Sequence, residues 1–266
     1  MRHLAPIAGR ELRSFFTSPV AYVVLTLWAV LAGTFFLSSL LAFQEQLLQA
    51  QRFQAFDHLR QMNLNDHLIA PFIGSMWVVL LFLIPGVTMG LFASEKANGT
   101  DELLYTSPIT VWEIVLGKYL AGAALVLLMT AVVAFFPALL FIYGDPEVGK
   151  TIAALLGILL VSLAYVAVGA FASSITRNQL IAFMLGLVLL LVLGLMLPFL
   201  VEIGIARDAL GQGSGLADAM RYVATGEHFE QLLKGLVDTS DLVYFAVVIG
   251  IFLLLAKLAM ESVRWR

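Results

Sequence analysis

YLAGAALVLLMTAVVAFFPALLFIY (Tyr119–Tyr143) and, after the turn GDPEVGK (Gly144–Lys150), TIAALLGILLVSLAYVAVGAFASSI (Thr151–Ile175) decide the fold. Neither run contains a charged residue. A helix rising 1.5 Å per residue needs about 20 residues to cross a hydrocarbon core about 30 Å thick, so each run is long enough to span. Backbone polar groups in lipid have to bond within the segment, which makes the runs helices. The alternating ten-residue strands of a membrane barrel are absent. Working outward, four further apolar runs follow the same rule: Val20–Phe43, Leu68–Ala93, Leu180–Val201 and Leu242–Met260, with Lys257 the only charge in any of the six. The expectation is an all-α polytopic membrane protein with six transmembrane helices in one domain over 1–266.

Composition agrees. Of the 266 residues 61% are hydrophobic and 12% charged, against about 25% charged in an ordinary soluble domain, and the mean hydropathy is +0.96. A soluble fold and a disordered chain are both excluded. There is no cysteine, hence no disulfide scaffold or thiolate metal site. A net charge of −3 makes nucleic acid a poor partner.

Lys and Arg placement sets the direction. With residues 1–19, 94–118, 176–179 and the tail from Glu261 inside, the inner side carries more basic than acidic residues, and segments 44–67, 144–150 and 202–241 carry the reverse. The positive-inside rule therefore puts both termini in the cytoplasm and the chain in a bacterial cytoplasmic (inner) membrane. Residues 1–19 read as an interfacial helix, with Leu4, Ile7, Leu12, Phe15 and Phe16 on one face and Arg2, Arg10, Glu11 and Arg13 largely opposite. Residues 44–67 read as a helix extending span one. Segment 202–241 is too long to be structureless and should hold short outer helices.

The inner segment 94–118, SEKANGTDELLYTSPITVWEIVLGK, carries two helix signals and an exposed acidic-apolar stretch. Gly99 suits the end of a helix running in from span two. Ser107-Pro108 is one possible restart, and Thr110 with Glu113 offers a competing capping box. Between them Leu103, Leu104 and Tyr105 need something to cover them, which makes 94–118 a docking loop or an ordinary capped connector.

Much chemistry is absent. Spans without acidic or histidine residues argue against proton pumping, ion-coupled exchange and voltage sensing. No acid, base and nucleophile cluster marks an enzyme. His58 and His67 near Asp57 and Asp66 are explained by surface polarity, so no metal or cofactor is expected in this chain. Gly144–Thr151 spells the phosphate-loop pattern GxxxxGK[ST], but it follows a span rather than a buried strand and faces outward, so Lys150 is not a nucleotide ligand. In span four, Gly169 with Ser173 and Ala170 with Ser174 are spaced for close helix packing within the subunit. Pro85-Gly86, Pro137 and Pro198 should kink spans two, three and five.

The inner loop resembles that of the permease subunits of type-2 ABC exporters, through Glu95, Gly99, Thr100, Glu102, Leu103, Leu104 and Pro108, followed by Gly117-Lys118. ELRSFFTSPVAYV (Glu11–Val23), TSPITVWEIVLGKYL (Thr106–Leu120), HFEQLLKGLVDTSDLVYF (His228–Phe245) and ESVRWR (Glu261–Arg266) are similar more narrowly to the GldF-like, gliding-motility-type branch, related to NosY-like permeases. The resemblance implies a non-catalytic membrane subunit whose loop, through those seven residues, docks on a separate ABC ATPase. Two copies of that ATPase would bind the ATP and Mg and drive export. It also implies a second permease copy or related permease, and a GldG-like partner with a periplasmic domain. The alternative is a mechanotransmission module that moves such a partner and passes no substrate. With no charge in the spans, a translocation path could discriminate only by shape, hydroxyls and aromatic faces. In the family, spans one, two and five face the partner copy, so the path residues expected are Thr26, Thr34, Ser38, Ser75, Thr88, Phe183 and Met184. Such a path suits an amphipathic or lipid-like substrate.

Overall fold

The computed structural model describes residues 4–17, 19–53, 62–100, 109–202, 219–220 and 222–264. Among them are six helical units long and apolar enough to cross a membrane. Helix α1 (Leu4–Thr17) precedes span one, α2 (Pro19–Arg52). Span two is a π-helical turn (Asn65–Ile69), α3 (Ala70–Thr88) and α4 (Gly90–Asn98). Spans three and four are α5 (Val111–Tyr143) and α6 (Val148–Ile175). Span five is α7 (Gln179–Leu191), a π-helical segment (Val192–Met196) and α8 (Leu197–Glu202). A short helix α9 (Thr225–Leu233) precedes span six, α10 (Thr239–Arg264). Six alternating spans define a near end, where α1 lies, and a far end, where α9 lies. Most helices overrun the apolar runs, because polar residues continue a helix once its backbone is already bonded.

Span four is the axis of the bundle. It packs on spans two, three, five and six and on α9. Of its most apolar stretch 67% is buried, against 17% for span one and 22% for spans five and six. Small residues explain the position. Lipid tails are as apolar as leucine, so membrane helices associate by close van der Waals contact and hydrogen bonds. A Cβ at Gly169 would sit 2.0 Å from Thr88 Oγ1, one at Gly157 2.9 Å from Leu232 Cβ, and one at Gly122 2.8 Å from Val166 Cγ1. The Gly169/Ser173 pair thus packs inside the protomer, as its spacing predicts.

Ser173 also shapes span two. The helix breaks at Met89, four residues after Pro85, and restarts at Gly90. A restarting helix presents first-turn amides with no partner of their own. The N–H groups of Phe92 and Ala93 both donate to Ser173 Oγ at 3.0 Å, and that hydroxyl donates to the Met89 carbonyl at 2.8 Å. One donor and two acceptors is the full capacity of a serine hydroxyl. Pro137 lies within an uninterrupted α5, and Pro198 is the second residue of α8, which follows the π-helical segment.

Spans one to three are joined by aromatic contacts. Phe36, Phe72 and Phe136 form a triangle with ring centroids 5.2–5.8 Å apart. Trp28, wholly buried, donates from Nε1 to the Met129 carbonyl at 2.9 Å. At the far end Asn65 donates to the Glu147 carbonyl and Thr151 Oγ1, and accepts from the Glu147 N–H at 2.7 Å. One side chain thus ties span two to the turn between spans three and four.

Candidate functional site

The near end holds a charged junction of three helices. Ile7 of α1 seats against Gly117 of α5, where a Cβ would lie 2.6 Å from Ile7 Cγ2. The next residue, Lys118, has a side chain only 1% exposed. Its Nζ lies 3.2 Å from Glu11 Oε1 and 3.0 Å from Glu95 Oε1, over the Phe92 ring. Arg10 Nη2 bridges the same two carboxylates at 2.8 and 3.3 Å. Two cations and two anions therefore close a neutral quartet across α1, α4 and α5. An ammonium this deeply buried is tolerable only when paired. Glu11 corrects the sequence reading that set it on the outward face of α1. It follows Ile7 by four residues, which places both on the same, bundle-facing side.

The quartet sits beside the stems of the loop that carried the docking expectation. Helix α4 ends with Gly99 in the left-handed conformation (φ 70°), and the Thr100 N–H bonds back to the Glu95 carbonyl at 3.0 Å. On the other side Thr110 caps α5. Its hydroxyl accepts from the Glu113 N–H, and the Glu113 carboxylate accepts from the Thr110 N–H at 3.2 Å. The capping box, not Ser107-Pro108, adjoins the start of α5. Glu102, Leu103, Leu104, Tyr105, Ser107 and Pro108 lie outside the described residues. Of the seven residues expected to couple, then, Glu95 is shared by both cations of the quartet and Gly99 and Thr100 form the helix terminus. Nearby, Lys96 donates from Nζ to the Ser174 carbonyl, a second tie between spans two and four.

The expected path residues divide. Thr26, Thr34 and Ser38 lie on the exposed side of span one, and Thr34 bonds to its own Leu31 carbonyl at 2.8 Å. Met184 is 52% exposed on span five, and Phe183 is half-buried beside Gly86. Ser75 is half-buried and bonds to the Pro71 carbonyl. Thr88 is turned inward: it is buried against Gly169 and donates to the Ile84 carbonyl at 2.8 Å.

A second buried polar cluster lies at the far end, and the sequence reading missed it. Asp241, in the first turn of α10, is wholly buried, with Oδ1 2.6 Å from His228 Nδ1. The other ring nitrogen of His228 faces the Tyr222 carbonyl at 3.0 Å. The imidazole stacks on Tyr244 at 4.0 Å, and the Tyr244 hydroxyl bonds to Thr225 and to the Val223 carbonyl. A neutral imidazole offers one donor and one acceptor. The two ring nitrogens of His228 face two oxygens, the Asp241 carboxyl and the Tyr222 carbonyl. The charge-free expectation is thus corrected at the span ends, where Lys118 and Asp241 are buried with partners. The signal available in the sequence was the pair of polar residues 13 positions apart astride a turn, Gly235 to Asp238, with Asp238 capping α10. Hydrogen bonds from the Ser240 side chain and N–H hold the Asp238 carboxyl below its ordinary value.

Among the described residues no group of three His, Asp or Glu could hold a metal ion. His67 bonds to its own Asn63 carbonyl, and His58 with Asp57 lies outside the described residues. Lys150, in the phosphate-loop spelling, sits in the first turn of α6 and pairs with Asp66 at 3.3 Å. A family model described as "ABC-2 family transporter protein" matches residues 5–264. No curated protein matches the chain at a significant level.

Proposed function

The chain belongs to the ABC-2 family of transporter proteins, and from that premise we propose that it is the permease subunit of an export-type transporter. In this reading, ATP hydrolysis on a separate ABC ATPase pushes the loop between α4 and α5. The near end is then the cytoplasmic face, which the excess of Lys and Arg there supports. The carrying observation is the anchoring of the loop's stems. Glu95 is held by Lys118 and Arg10, and Thr110 by its box with Glu113. A load on the loop therefore reaches spans two and three and α1 together instead of being lost in slack.

Within the family, the sequence runs quoted above favour the GldF-like branch, with ATP and Mg held by the partner ATPase and a GldG-like protein as companion. The test is the pair of loop leucines. Leu103→Ser with Leu104→Ser should cut ATPase copurification about tenfold while the permease still elutes as a folded membrane protein. Two buried leucines at about 2 kcal/mol each exceed the ~1.4 kcal/mol that a tenfold loss requires. Undiminished copurification and undiminished ATP hydrolysis would overturn the docking assignment.

Two copies are proposed to meet through spans one and five. Their lightly buried faces carry Thr34, Ser38 and Met184. Because the chain has no cysteine, Thr34→Cys or Ser38→Cys is expected to give a disulfide-linked dimer on oxidation. Dimers formed only by cysteines in spans three or four would move the interface.

A further inference from the structure

The interruption of span two at Met89 is explained by neither the transport reading nor the family match. Met89 separates α3 from α4, yet its own backbone is ordinary helix (φ −54°, ψ −33°). The chain does not turn there; only the ladder of amide-to-carbonyl bonds is broken. A helix starting at Gly90 needs an acceptor for its first amides, and Met89, at the N-cap position, makes no side-chain capping bond. Ser173 supplies the missing oxygen from span four. Its hydroxyl accepts from the Phe92 and Ala93 N–H groups and donates to the Met89 carbonyl. A side chain inserted into the ladder kinks a helix, and here that side chain belongs to a neighbouring helix.

Other hydroxyls in the spans behave differently. Ser75, Thr88, Thr130 and Ser162 each donate to the carbonyl four residues back in their own helix, and Ser174 to the one three back. The equivalent acceptor for Ser173 is the Gly169 carbonyl. If Ser173 turns to it, the Phe92 N–H falls to the Thr88 carbonyl and the Ala93 N–H to that of Met89, each four residues back. All three donors have an acceptor in both arrangements, so neither orphans a polar group inside the bundle. The surroundings add a pivot and a latch. Thr88, the last residue of α3, is pinned against Gly169, whereas a Cβ at Gly90 would meet nothing within 4 Å. Beyond the pivot, α4 is held by Glu95 in the quartet and by Lys96 at the Ser174 carbonyl.

We propose that the Ser173 hydroxyl is a reversible wedge in span two. Inserted, it bends the span at Met89; withdrawn to the Gly169 carbonyl, it lets α3 and α4 close into one helix. A change of bend of about 20° carried along the nine residues of α4 moves Gly99 by roughly 4–5 Å. In the transport reading, this is where a load on the loop becomes a tilt of span two. The inference rests on that reading for what drives the wedge, and not for the wedge itself.

The test uses the full-length chain in nanodiscs without an ATPase, so its outcome is independent of loop docking. Spin labels go on cysteines replacing Ala97, exposed near the end of α4, and Leu258, exposed on span six; no native cysteine interferes. Ser173→Ala removes the wedge. Its main label distance by pulsed EPR is expected to differ from that of the labelled wild type by about 3–5 Å. Its melting temperature is expected to stay within about 5 °C, because the amides regain ladder partners. A permanent anchor predicts the reverse: two orphaned buried amides, a fall of about 10 °C and no second geometry. An unchanged distance in Ser173→Ala, or a fall beyond about 5 °C, would overturn the proposal. Reversibility is read in a protein that keeps Ser173. Lys118→Met loosens Glu95 and is expected to populate both distances at once. The wild-type distance alone in that variant would show that the hydroxyl does not withdraw, and the wedge would be a fixed anchor.

Discussion

Gly169→Ala is expected to destabilise the protein by about 3 kcal/mol, the upper part of the range for overpacked cores. The added methyl has nowhere to go. It would lie 2.0 Å from Thr88 Oγ1 and 2.8 Å from Thr88 Cβ, on a side chain that is itself fixed by its bond to Ile84. Relief requires spans two and four to part, and parting them also strains the three hydrogen bonds that Ser173 makes across the break at Met89. The apparent melting temperature in detergent, followed by tryptophan fluorescence, should fall by roughly 10 °C. Adding Thr88→Ala should restore part of the loss, because it removes the nearest clashing atom. A Gly169→Ala protein as stable as the wild type would mean that the two helices do not touch here.

Lys118→Met is expected to have the second largest effect, for an electrostatic reason. Removing the ammonium leaves Glu11 and Glu95 sharing Arg10 alone, whose side chain is 59% exposed. Breaking a fully buried pair costs about 3–5 kcal/mol. Here about 2 kcal/mol is expected, since both carboxylates keep some contact with water and Arg10 screens them. The loss should fall on α1, which is held to α5 by this quartet and by Ile7 on Gly117. Trypsin should therefore cut after Arg13 several-fold faster than in the wild type, with the spans intact. Adding Glu11→Gln should slow the cut again by removing the surplus negative charge. Unchanged proteolysis would show that α1 is held by its apolar contacts alone.

Six spans, their approximate limits, the end of α4 at Gly99 and the capping box at Thr110 were all legible in the linear sequence. Each depends on local physics. Twenty or so apolar residues in lipid leave the backbone one way to satisfy itself, and a glycine or a Thr-x-x-Glu stretch marks a helix end wherever it stands. Small residues at Gly169 and Ser173 announced a close approach, but not which helix approaches. Their partners, Thr88 and the broken turn at Met89, are some 80 positions away.

The same limit hid the charged sites. Lys118 and Asp241 read as ordinary loop-side charges because the residues that make their burial tolerable, Glu11 and Glu95 for one and His228 for the other, reach them only through folding. Local sequence settled that the chain is a six-span membrane bundle. The tertiary structure alone decided that span four is its axis, that α1 is locked to spans two and three, and that Ser173 of span four enters the break in span two. Those features depend on which helices share a face, and contacts between distant residues leave no periodicity in the chain to read.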